Sequence, residues 1–327
     1  MSTHRALRAT IMRIPAIISA WVIALAAQAG AHAAPSPILS PAELKATLAS
    51  PAVTVIDIRP PADYSQGHIP GALSAPYGSW RGPANSPGTL PPLDKLTAQV
   101  RQLGLTPERH AVVVSSGADV TDFGAAARVY WTLKYLGLEQ LSILNGGMQA
   151  WQQAQQPLSQ DAPAQTKPSR YEPTLNTAIK ATQADVLAGI DNSGTRLIDA
   201  RPKNFFEGLV KAPTAAVPGT IQGARNVPHS VWFAPGSTQI VSAAEARTIA
   251  AREFPDAAGD NIAFCNTGHW AATDWFALSE LAGLQHVRMY PESLADWTNA
   301  DQSLPMDNVP SRASQISEKF KKLFGGS

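Results

Sequence analysis

Short apolar runs alternate with amphipathic stretches along most of this 327-residue chain. The runs are rich in β-branched residues, which is typical of strands buried on both faces. They lie at residues 53–58, 111–114, 197–200 and 262–264. Helices are predicted at 125–136, ending at Gly137, and after the capping residues Ser40, Thr182 and Ser242, each followed three positions on by an acidic side chain. Alternating strands and helices predict an α/β fold with a parallel sheet that is covered on both faces and binds ligands at the carboxyl ends of its strands.

The chain also contains an internal duplication. The octapeptide VTVIDIRP at residues 53–60 is echoed by TRLIDARP at residues 195–202. Further matches are GHIPGA at 67–72 with GTIQGA at 219–224, Gly137 with Gly283, and Trp151 with Trp297. The spacing between copies changes from 142 to 152 and then to 146 residues, which predicts an insertion of about ten residues near positions 208–218.

The duplication predicts two domains, the first at residues 35–157 and the second at residues 177–306. Residues 157–176 contain four prolines and few apolar side chains. We therefore expect residues 158–176 to be an extended, semi-rigid linker. Residues 307–327 form a tail in which apolar side chains recur at helical spacing beside lysines. This pattern predicts a short amphipathic helix that packs on the body of the protein or lies on a membrane surface.

The N-terminal segment has the features of a secretory signal peptide. Three arginines precede an apolar stretch at residues 14–29, and Ala31-His32-Ala33 is a small-x-small cleavage signature. Residues 1–33 are therefore predicted to be removed on export, giving a periplasmic or secreted protein. An uncleaved N-terminal membrane anchor is the alternative, because the stretch is near the lower length limit for a membrane span.

Charge gives no reason to expect a polyanionic partner. Loss of residues 1–33 would remove three arginines and no acid, leaving 23 basic against 25 acidic residues. A nearly balanced chain of this kind does not predict binding to nucleic acid, and membrane association is expected only if the leader is retained.

Cys265 is the only cysteine in the chain, so no internal disulfide can form. A lone thiol is either a small buried hydrophobe, one half of an intermolecular bridge, or a reactive group. Here it follows a predicted strand and precedes a predicted helix, with Gly268 between them. Backbone N–H groups in such a turn point inward and form an anion-binding nest, which favours a thiolate and can hold the charge of a sulfur added to it. The loop therefore predicts a persulfide site.

These motifs together resemble the tandem-domain rhodaneses, the thiosulfate/3-mercaptopyruvate sulfurtransferase family. The resemblance covers residues 36–306. It rests on the paired Asp57/Arg59 and Asp199/Arg201, on GHIPGA at 67–72, on LNGGMQAW at 144–151 and on CNTGHWA at 265–271. It implies two doubly wound α/β domains, each a parallel sheet with helices on both faces, with the site facing their interface. It also implies that the first domain is inactive, because Ser115 or Ser116 stands where the second domain has Cys265.

By the same resemblance, Cys265 is the catalytic nucleophile and the loop after it binds the substrate and the persulfide. The loop residues are Asn266, Thr267, Gly268, His269, Trp270 and Ala271. Family members that use thiosulfate tend to have basic loop residues, and those that use mercaptopyruvate tend toward Gly, Ser or Thr. This loop follows neither pattern, so the donor stays open. Ala271 stands where a phosphatase branch of the fold has an arginine, which disfavours phosphatase chemistry.

Other candidate residues have two interpretations each. Asp199 and Arg201 are expected to form a structural salt bridge that supports the loop, since the first copy keeps the pair without a nucleophile; Arg201 is also a candidate anion contact. His269 either stabilises a thiolate and takes up a proton or faces solvent. Trp270 either packs against the other domain or presents a docking surface. No second cysteine or histidine set accompanies Cys265, so no metal is predicted.

The predicted function is a double displacement. Cys265 takes the outer sulfur of a donor such as thiosulfate and passes it to cyanide or a thiol, with a thiol protein as one candidate acceptor. No organic or metal cofactor is needed. A sulfur-carrier or redox-partner protein and a non-catalytic two-domain binding protein are the alternatives.

Overall fold

A computed structural model describes residues 35–162, 166–255 and 259–311 of the chain. The predicted signal peptide lies outside these residues, and so does the predicted helix of the C-terminal tail. Among the helices of the described residues, none combines the length and apolar character needed to cross a bilayer.

The first domain is a five-stranded parallel sheet in the order β1-β5-β4-β2-β3. Its strands are β1 (Ile38–Leu39), β2 (Val53–Asp57), β3 (Leu73–Ser74), β4 (His110–Val114) and β5 (Leu141–Leu144). Its helices are α1 (Pro41–Thr47), α2 (Pro61–Gln66), α3 (Leu93–Gln102), α4 (Phe123–Tyr135) and α5 (Gly147–Gln153).

The second domain repeats this plan with four parallel strands in the order β10-β9-β6-β8. Its strands are β6 (Thr195–Asp199), β7 (Thr220–Ile221), β8 (Arg225–Asn226), β9 (Asp260–Phe264), β10 (Val287–Met289) and β11 (Met306–Asp307), of which β7 and β11 form a separate antiparallel pair. Its helices are α6 (Gln183–Ile190), α7 (Lys203–Phe206), α8 (Ala243–Glu253), α9 (Trp270–Phe276) and α10 (Ser293–Trp297), and α9 continues into a π-helical turn, Ala277–Leu281.

The three predicted helix starts are present. The hydroxyls of Ser40, Thr182 and Ser242 each accept a hydrogen bond from a backbone N–H three residues on, and the acidic side chain there accepts one in return. Both groups would otherwise be unsatisfied at a helix end, so each box stabilises its helix by about 1 kcal/mol. The predicted strands are present as well, and the fold is two doubly wound α/β domains, as predicted.

The strand pairs β2–β4 and β6–β9 have the same register, so the loops that follow β4 and β9 can be compared residue by residue. Asp57 pairs with Val114 in the first sheet, and Asp199 pairs with Phe264 in the second. The first residue beyond the strand is therefore Ser115 in one copy and Cys265 in the other. Of the two serines considered from the sequence, Ser115 is the one that stands in the position of the cysteine.

The domains share one hydrophobic cluster. Each sheet has a cluster of its own on one face, whereas the cluster on the other face contains buried residues of both domains. Helices α4 and α9 pack together there, with the ring of Phe276 at 5.5 Å from that of Phe123 and 5.0 Å from that of Tyr130. This packing brings the Cys265 loop, which leads into α9, against the first domain.

The segment between the domains lies along the first domain. The backbone of Ser159 pairs with that of His68, and Arg101 donates to the carbonyl oxygen of Tyr171 at 2.8 Å. The predicted insertion is a surface loop of the second domain in which Leu209 is 71% exposed.

Candidate functional site

Cys265 is the first residue after β9, at the carboxyl edge of the second sheet. Cys265 is buried, with only 1% of its surface exposed to solvent. Two neighbouring backbone groups in α10 cover the loop from the same domain: Leu294 N–H donates to the carbonyl oxygen of Cys265 at 3.1 Å, and Ala295 N–H donates to that of Asn266 at 2.9 Å.

The next two carbonyl oxygens of the loop are held by the first domain. Arg81 Nη2 donates to the carbonyl oxygen of Thr267 at 2.7 Å, and Arg128 Nη1 donates to that of Gly268 at 3.2 Å. The loop is therefore shared between the domains, with half of its carbonyl groups bound from each side.

The N–H groups of the same loop have no such partners. Within the part of the chain that the structure describes, the backbone N–H groups of Asn266, Thr267, Gly268 and His269 donate to no protein acceptor. Gly268 has φ +70°, a left-handed conformation that curls the backbone around a centre. Four successive free donors in a curled loop are the components of an anion-binding nest.

Gly268 is also fixed by the space around it. A Cβ atom there would lie 2.3 Å from Arg128 Nη1 and 2.4 Å from the carbonyl oxygen of Pro291. No side chain fits between these groups, so glycine is required by both conformation and close approach.

Ser293 is a site residue that the sequence did not reveal. Its hydroxyl accepts a hydrogen bond from Cys265 N–H at 3.1 Å and donates to the carbonyl oxygen of Tyr290 at 2.8 Å. It has φ +58°, which costs a non-glycine residue about 1 kcal/mol or more. The matching residue of the first copy is Gly147, with φ +57°. Aligning the two repeats would have shown a serine in the second copy where the first copy has a glycine.

His269 lies at the domain interface rather than in solvent. Its Nδ1 is 2.9 Å from Tyr77 Oη, and its Nε2 is 2.8 Å from the carbonyl oxygen of Thr121. A carbonyl only accepts, so Nε2 carries the proton and Nδ1 accepts from the Tyr77 hydroxyl. Burial, followed by the nearby positive charge of Arg81, lowers the pKa of His269 to about 4. The ring is therefore neutral near pH 7 and anchors the loop to the first domain.

Trp270 and Ala271 begin α9. The Trp270 ring stacks on His229 at 4.9 Å and meets Phe205 edge-on at 5.8 Å, so its aromatic partners belong to its own domain and not to the other one. Its indole Nε1 is buried and has no hydrogen-bond partner among the described residues. Ala271 is fully buried.

Asp199 and Arg201 form a buried ion pair beneath the loop. Arg201 Nη2 is 2.6 Å from the Asp199 carboxylate and 2.7 Å from the carbonyl oxygen of Gly219. The pair of Asp57 and Arg59 repeats this geometry in the first domain. Only Nη1 of Arg201 reaches toward the loop, at 3.5 Å from Asn266 Oδ1. This arrangement supports the loop and leaves one Arg201 nitrogen facing it.

Arg128 is a buried cation at the site that was not predicted from the sequence. It is fully buried, and burial, followed by the charge of Arg81, lowers its pKa to about 9, so it stays charged near pH 7. Arg81, Tyr77 and Arg128 lie 137 or more residues from Cys265 in sequence, which is why local motifs did not reveal them. A charged residue within the alanine-rich run of α4 was the one available signal.

Among residues 35–162, 166–255 and 259–311, no group of three or more His, Cys, Asp or Glu side chains is arranged to hold a metal ion. The groups that the described residues place at the loop include a thiol, a set of backbone amides and the guanidinium groups of Arg81, Arg128 and Arg201.

Comparisons with known proteins agree with this geometry. A family model described as the rhodanese-like domain matches residues 40–154 and 182–300. The thiosulfate sulfurtransferase of Azotobacter vinelandii is 28% identical over 268 residues, covering 80% of this chain and 94% of that protein. The sulfur carrier protein TtuD of Thermus thermophilus is 28% identical over 249 residues, covering 72% of this chain and 84% of that protein.

A solved structure shows the same relationship. The crystal structure of SseA from Escherichia coli, presented as showing the rhodanese fold of 3-mercaptopyruvate sulfotransferases, superposes with a TM-score of 0.68 at 25% identity. It covers 79% of this chain and 99% of that one. The relatives support sulfur transfer in general, and the chain belongs to the rhodanese-like domain family, with one family domain in each half.

Proposed function

We propose that the protein is a sulfurtransferase that moves a sulfane sulfur through a persulfide on Cys265. The observation that carries the proposal is the set of four unpartnered N–H groups that follows this cysteine. A thiolate that gains a sulfur atom keeps one negative charge and moves it to the outer sulfur, which needs hydrogen-bond donors beyond the cysteine itself. Four converging amides are suited to this charge.

The reaction is balanced with thiosulfate as the donor. The Cys265 thiolate attacks the outer sulfur of thiosulfate, an S–S bond forms to Cys265, and the S–S bond to the sulfonate group breaks. Sulfite leaves with the bonding electron pair. Cyanide or a thiolate then attacks the outer sulfur, forms thiocyanate or a new persulfide, and releases the Cys265 thiolate. Each half-reaction is a nucleophilic displacement, so the kinetics are ping-pong.

Thiosulfate is proposed as the donor because two cationic side chains, Arg81 and Arg128, border the loop and favour an anion. A 3-mercaptopyruvate donor is the second candidate, since its carboxylate would meet the same charges. Relative turnover of the two donors by the purified protein decides between them.

The buried position of Cys265 restricts which molecules can reach it. At 1% exposure the thiol is reached only when side chains around the loop move apart. We expect small donors such as thiosulfate to enter readily and bulky thiol reagents to react slowly. A thiol protein is a suitable acceptor only if its cysteine lies on a narrow, extended segment.

A sulfur-carrier role is the second candidate, favoured by similarity to a relative that is itself named a sulfur carrier protein. A carrier would load sulfur on Cys265 but release it slowly to small acceptors. We also propose that residues 1–33 direct export, which predicts that the protein recovered from the periplasm or the medium begins near Ala34.

Intact-mass measurement after incubation with thiosulfate tests the function. The proposal predicts a gain of one sulfur atom on the wild-type protein, located on Cys265 by peptide mapping and removed by cyanide. No mass gain would refute sulfur transfer and leave a binding role. A mass gain that cyanide and small thiols remove only slowly would favour the carrier over the enzyme.

A further inference from the structure

We propose that the first domain is a functional part of the persulfide site: Arg81 and Arg128 orient the second half of the Cys265 loop so that its N–H groups face the transferred sulfur. This inference rests on the proposed function. It assigns a positioning role to two residues of a domain that carries no nucleophile.

The planar peptide unit links each carbonyl group of the loop to the N–H group that follows it. The described chain has no cis peptide bonds, and in a trans peptide the C=O of one residue and the N–H of the next point in opposite directions. A donor that binds a carbonyl from outside the loop therefore turns the following N–H toward the inside. The backbone of α10 does this for the N–H groups of Asn266 and Thr267, through its bonds to Cys265 and Asn266.

Arginine does the same for the other two amides. The bond from Arg81 to the Thr267 carbonyl fixes the N–H of Gly268, and the bond from Arg128 to the Gly268 carbonyl fixes the N–H of His269. Gly268 is a residue with few conformational restrictions of its own. Without these two bonds, the peptide planes on either side of it are free to rotate, and two of the four donors leave the nest.

The charges add to this geometric effect. A guanidinium that donates to a carbonyl polarises the whole peptide unit, which strengthens the N–H on its far side. Among the described residues, neither Arg81 nor Arg128 forms a salt bridge. Glu292 lies near Arg128 but pairs with Lys180 at 3.2 Å. The two cations therefore keep their charge available to an anion at the loop.

The second domain has no arginine at the position that matches Arg128. At the repeat spacing of 146 residues, the position in α9 that matches Arg128 is Asp274. Asp274 is fully buried and accepts a hydrogen bond from Trp232 Nε1 at 2.9 Å. Burial raises the pKa of the Asp274 carboxyl well above its usual range. At this pair of matched positions, the side that faces the cysteine has a cation and the other side has a carboxyl group.

The experiment measures how firmly the protein holds its sulfur. Protein loaded from thiosulfate is titrated with sulfite, which reverses the loading, and the loaded fraction is read by intact mass. For Arg81→Met we expect about tenfold less sulfite to unload half of the protein, because two of four donors lose their alignment. Arg128→Met should act in the same direction, and Arg81→Lys should recover most of the loss.

Arg101→Met is the matched control. Arg101 is a first-domain arginine that also donates to a backbone carbonyl, that of Tyr171, and it forms an ion pair with Glu172. Among the described residues it has no hydrogen bond to the Cys265 loop. The Arg101→Met variant should lose half of its bound sulfur at the same sulfite concentration as the wild-type protein. Thermal unfolding of each variant separates loss of fold from loss of sulfur affinity, and if Arg128→Met does not fold, the partly exposed Arg81 alone decides the result.

The outcomes separate this inference from the proposed function. If the wild-type protein takes up no sulfur, the proposed function fails. If the wild type loads and the folded Arg81→Met variant unloads at the same sulfite concentration, the function stands and the positioning role is wrong. Equal weakening in Arg101→Met would also overturn the role, since it would show a general effect of losing a first-domain cation.

Discussion

The loops after β4 and β9 are two copies of one structure. Backbone amides are bound by side chains in the first loop, whereas those of residues 266–269 in the second loop have no partner among the described residues. Both leave the sheet in the same register, and both are held at their first two carbonyls by the helix that follows the next strand: Met148 and Gln149 N–H donate to Ser115 and Ser116 just as Leu294 and Ala295 donate to the cysteine loop. The same backbone frame is therefore present in the copy without a cysteine.

The difference lies in what fills the turn. In the first copy, eight residues separate β4 from α4, against five between β9 and α9. The longer loop folds back, so that the Asp122 carboxylate accepts from Gly117 N–H at 2.6 Å, and the Ser116 hydroxyl accepts from Ala118 N–H at 3.2 Å. The first nest is occupied by its own side chains, and the second is left for an external anion.

The first loop differs from the second in two ways. It has no cysteine, and two of its backbone N–H groups are already bound by side chains of the same loop. A carboxylate at 2.6 Å from an amide is a charge-assisted contact, and a substrate anion would have to displace it. The first loop binds its own carboxylate with these donors, and the second loop leaves the corresponding donors without a partner among the described residues.

The largest expected effect comes from removing the atom that the two copies do not share. Cys265→Ser gives the second loop the side chain of the first and should abolish sulfur loading, because a hydroxyl is a far weaker nucleophile toward sulfur. The fold should survive, since the two side chains are nearly isosteric. Steady-state transfer to cyanide and intact mass check the result, and activity comparable with wild type would remove Cys265 from the mechanism.

Gly268→Ala should have the next largest effect. The new Cβ meets Arg128 Nη1 and the Pro291 carbonyl within 2.4 Å, and the left-handed φ adds strain, so we expect a loss of about 2 kcal/mol or more in stability and a sulfur-transfer rate reduced about 100-fold. Gly283→Ala is the control, because Gly283 has φ +77° and a Cβ atom there would meet no other described residue within 4 Å apart from its chain neighbours. Equal activity loss in both variants would mean that strain alone, and not the packing at the loop, explains the result.

Ser293→Gly restores the residue that the first copy has at this place. The change removes the acceptor of Cys265 N–H while relieving the positive-φ strain. We expect sulfur loading to fall about tenfold, and we expect the glycine variant to be about 1 kcal/mol more stable than Ser293→Ala, which loses the hydroxyl but keeps the strain. Chemical denaturation and loading rates measure the two quantities. Wild-type loading in both variants would show that the Ser293 hydroxyl does not position the cysteine.

The pH dependence of stability tests the interface contact of His269. Its pKa is about 4 in the folded protein, below the ordinary value of about 6.5, so protonation favours unfolding. The contribution of the neutral ring is present above pH 6.5 and is lost as the pH falls toward 4. Between pH 7 and pH 5, wild-type Tm should fall about 3 °C further than that of His269→Gln. Parallel falls in the two proteins would show that the ring does not titrate in this window.

The smallest effect is expected in the first copy. Ser115→Ala and Ser116→Ala, singly or together, should leave sulfur transfer within about threefold of wild type, since a hydroxyl carries no persulfide. The rate of sulfite release from thiosulfate measures this. A folded double variant that has lost its activity would show that the first loop takes part in catalysis.

The sequence was sufficient for the frame of the protein and for one half of the site. Alternation of apolar runs and capped helices predicted the α/β fold, and the repeated strand ends predicted its duplication, because both patterns are local. The free amides after Cys265 could be anticipated for the same reason, since a glycine-containing turn between strand and helix has few other conformations.

The other half could not be predicted, because it depends on contacts between distant segments. Arg81 and Arg128 reach the loop only after α4 packs on α9, and the neutral state of His269 depends on burial by the first domain. Ser293 was missed because its role depends on a backbone conformation that the sequence favours only for glycine. The hydrogen bond from Gly117 N–H to the Asp122 carboxylate could not be predicted, because it depends on the path of a longer loop.

A crystal structure of the wild-type protein after incubation with thiosulfate would show directly where the transferred sulfur lies. The proposed persulfide mechanism predicts one additional sulfur atom bonded to Cys265 Sγ, lying within hydrogen-bonding distance of the N–H groups of residues 266–269, while the carbonyls of Thr267 and Gly268 remain bound to Arg81 and Arg128. A sulfur atom that points away from these amides, or a loaded loop whose N–H groups have turned to protein acceptors, would contradict it.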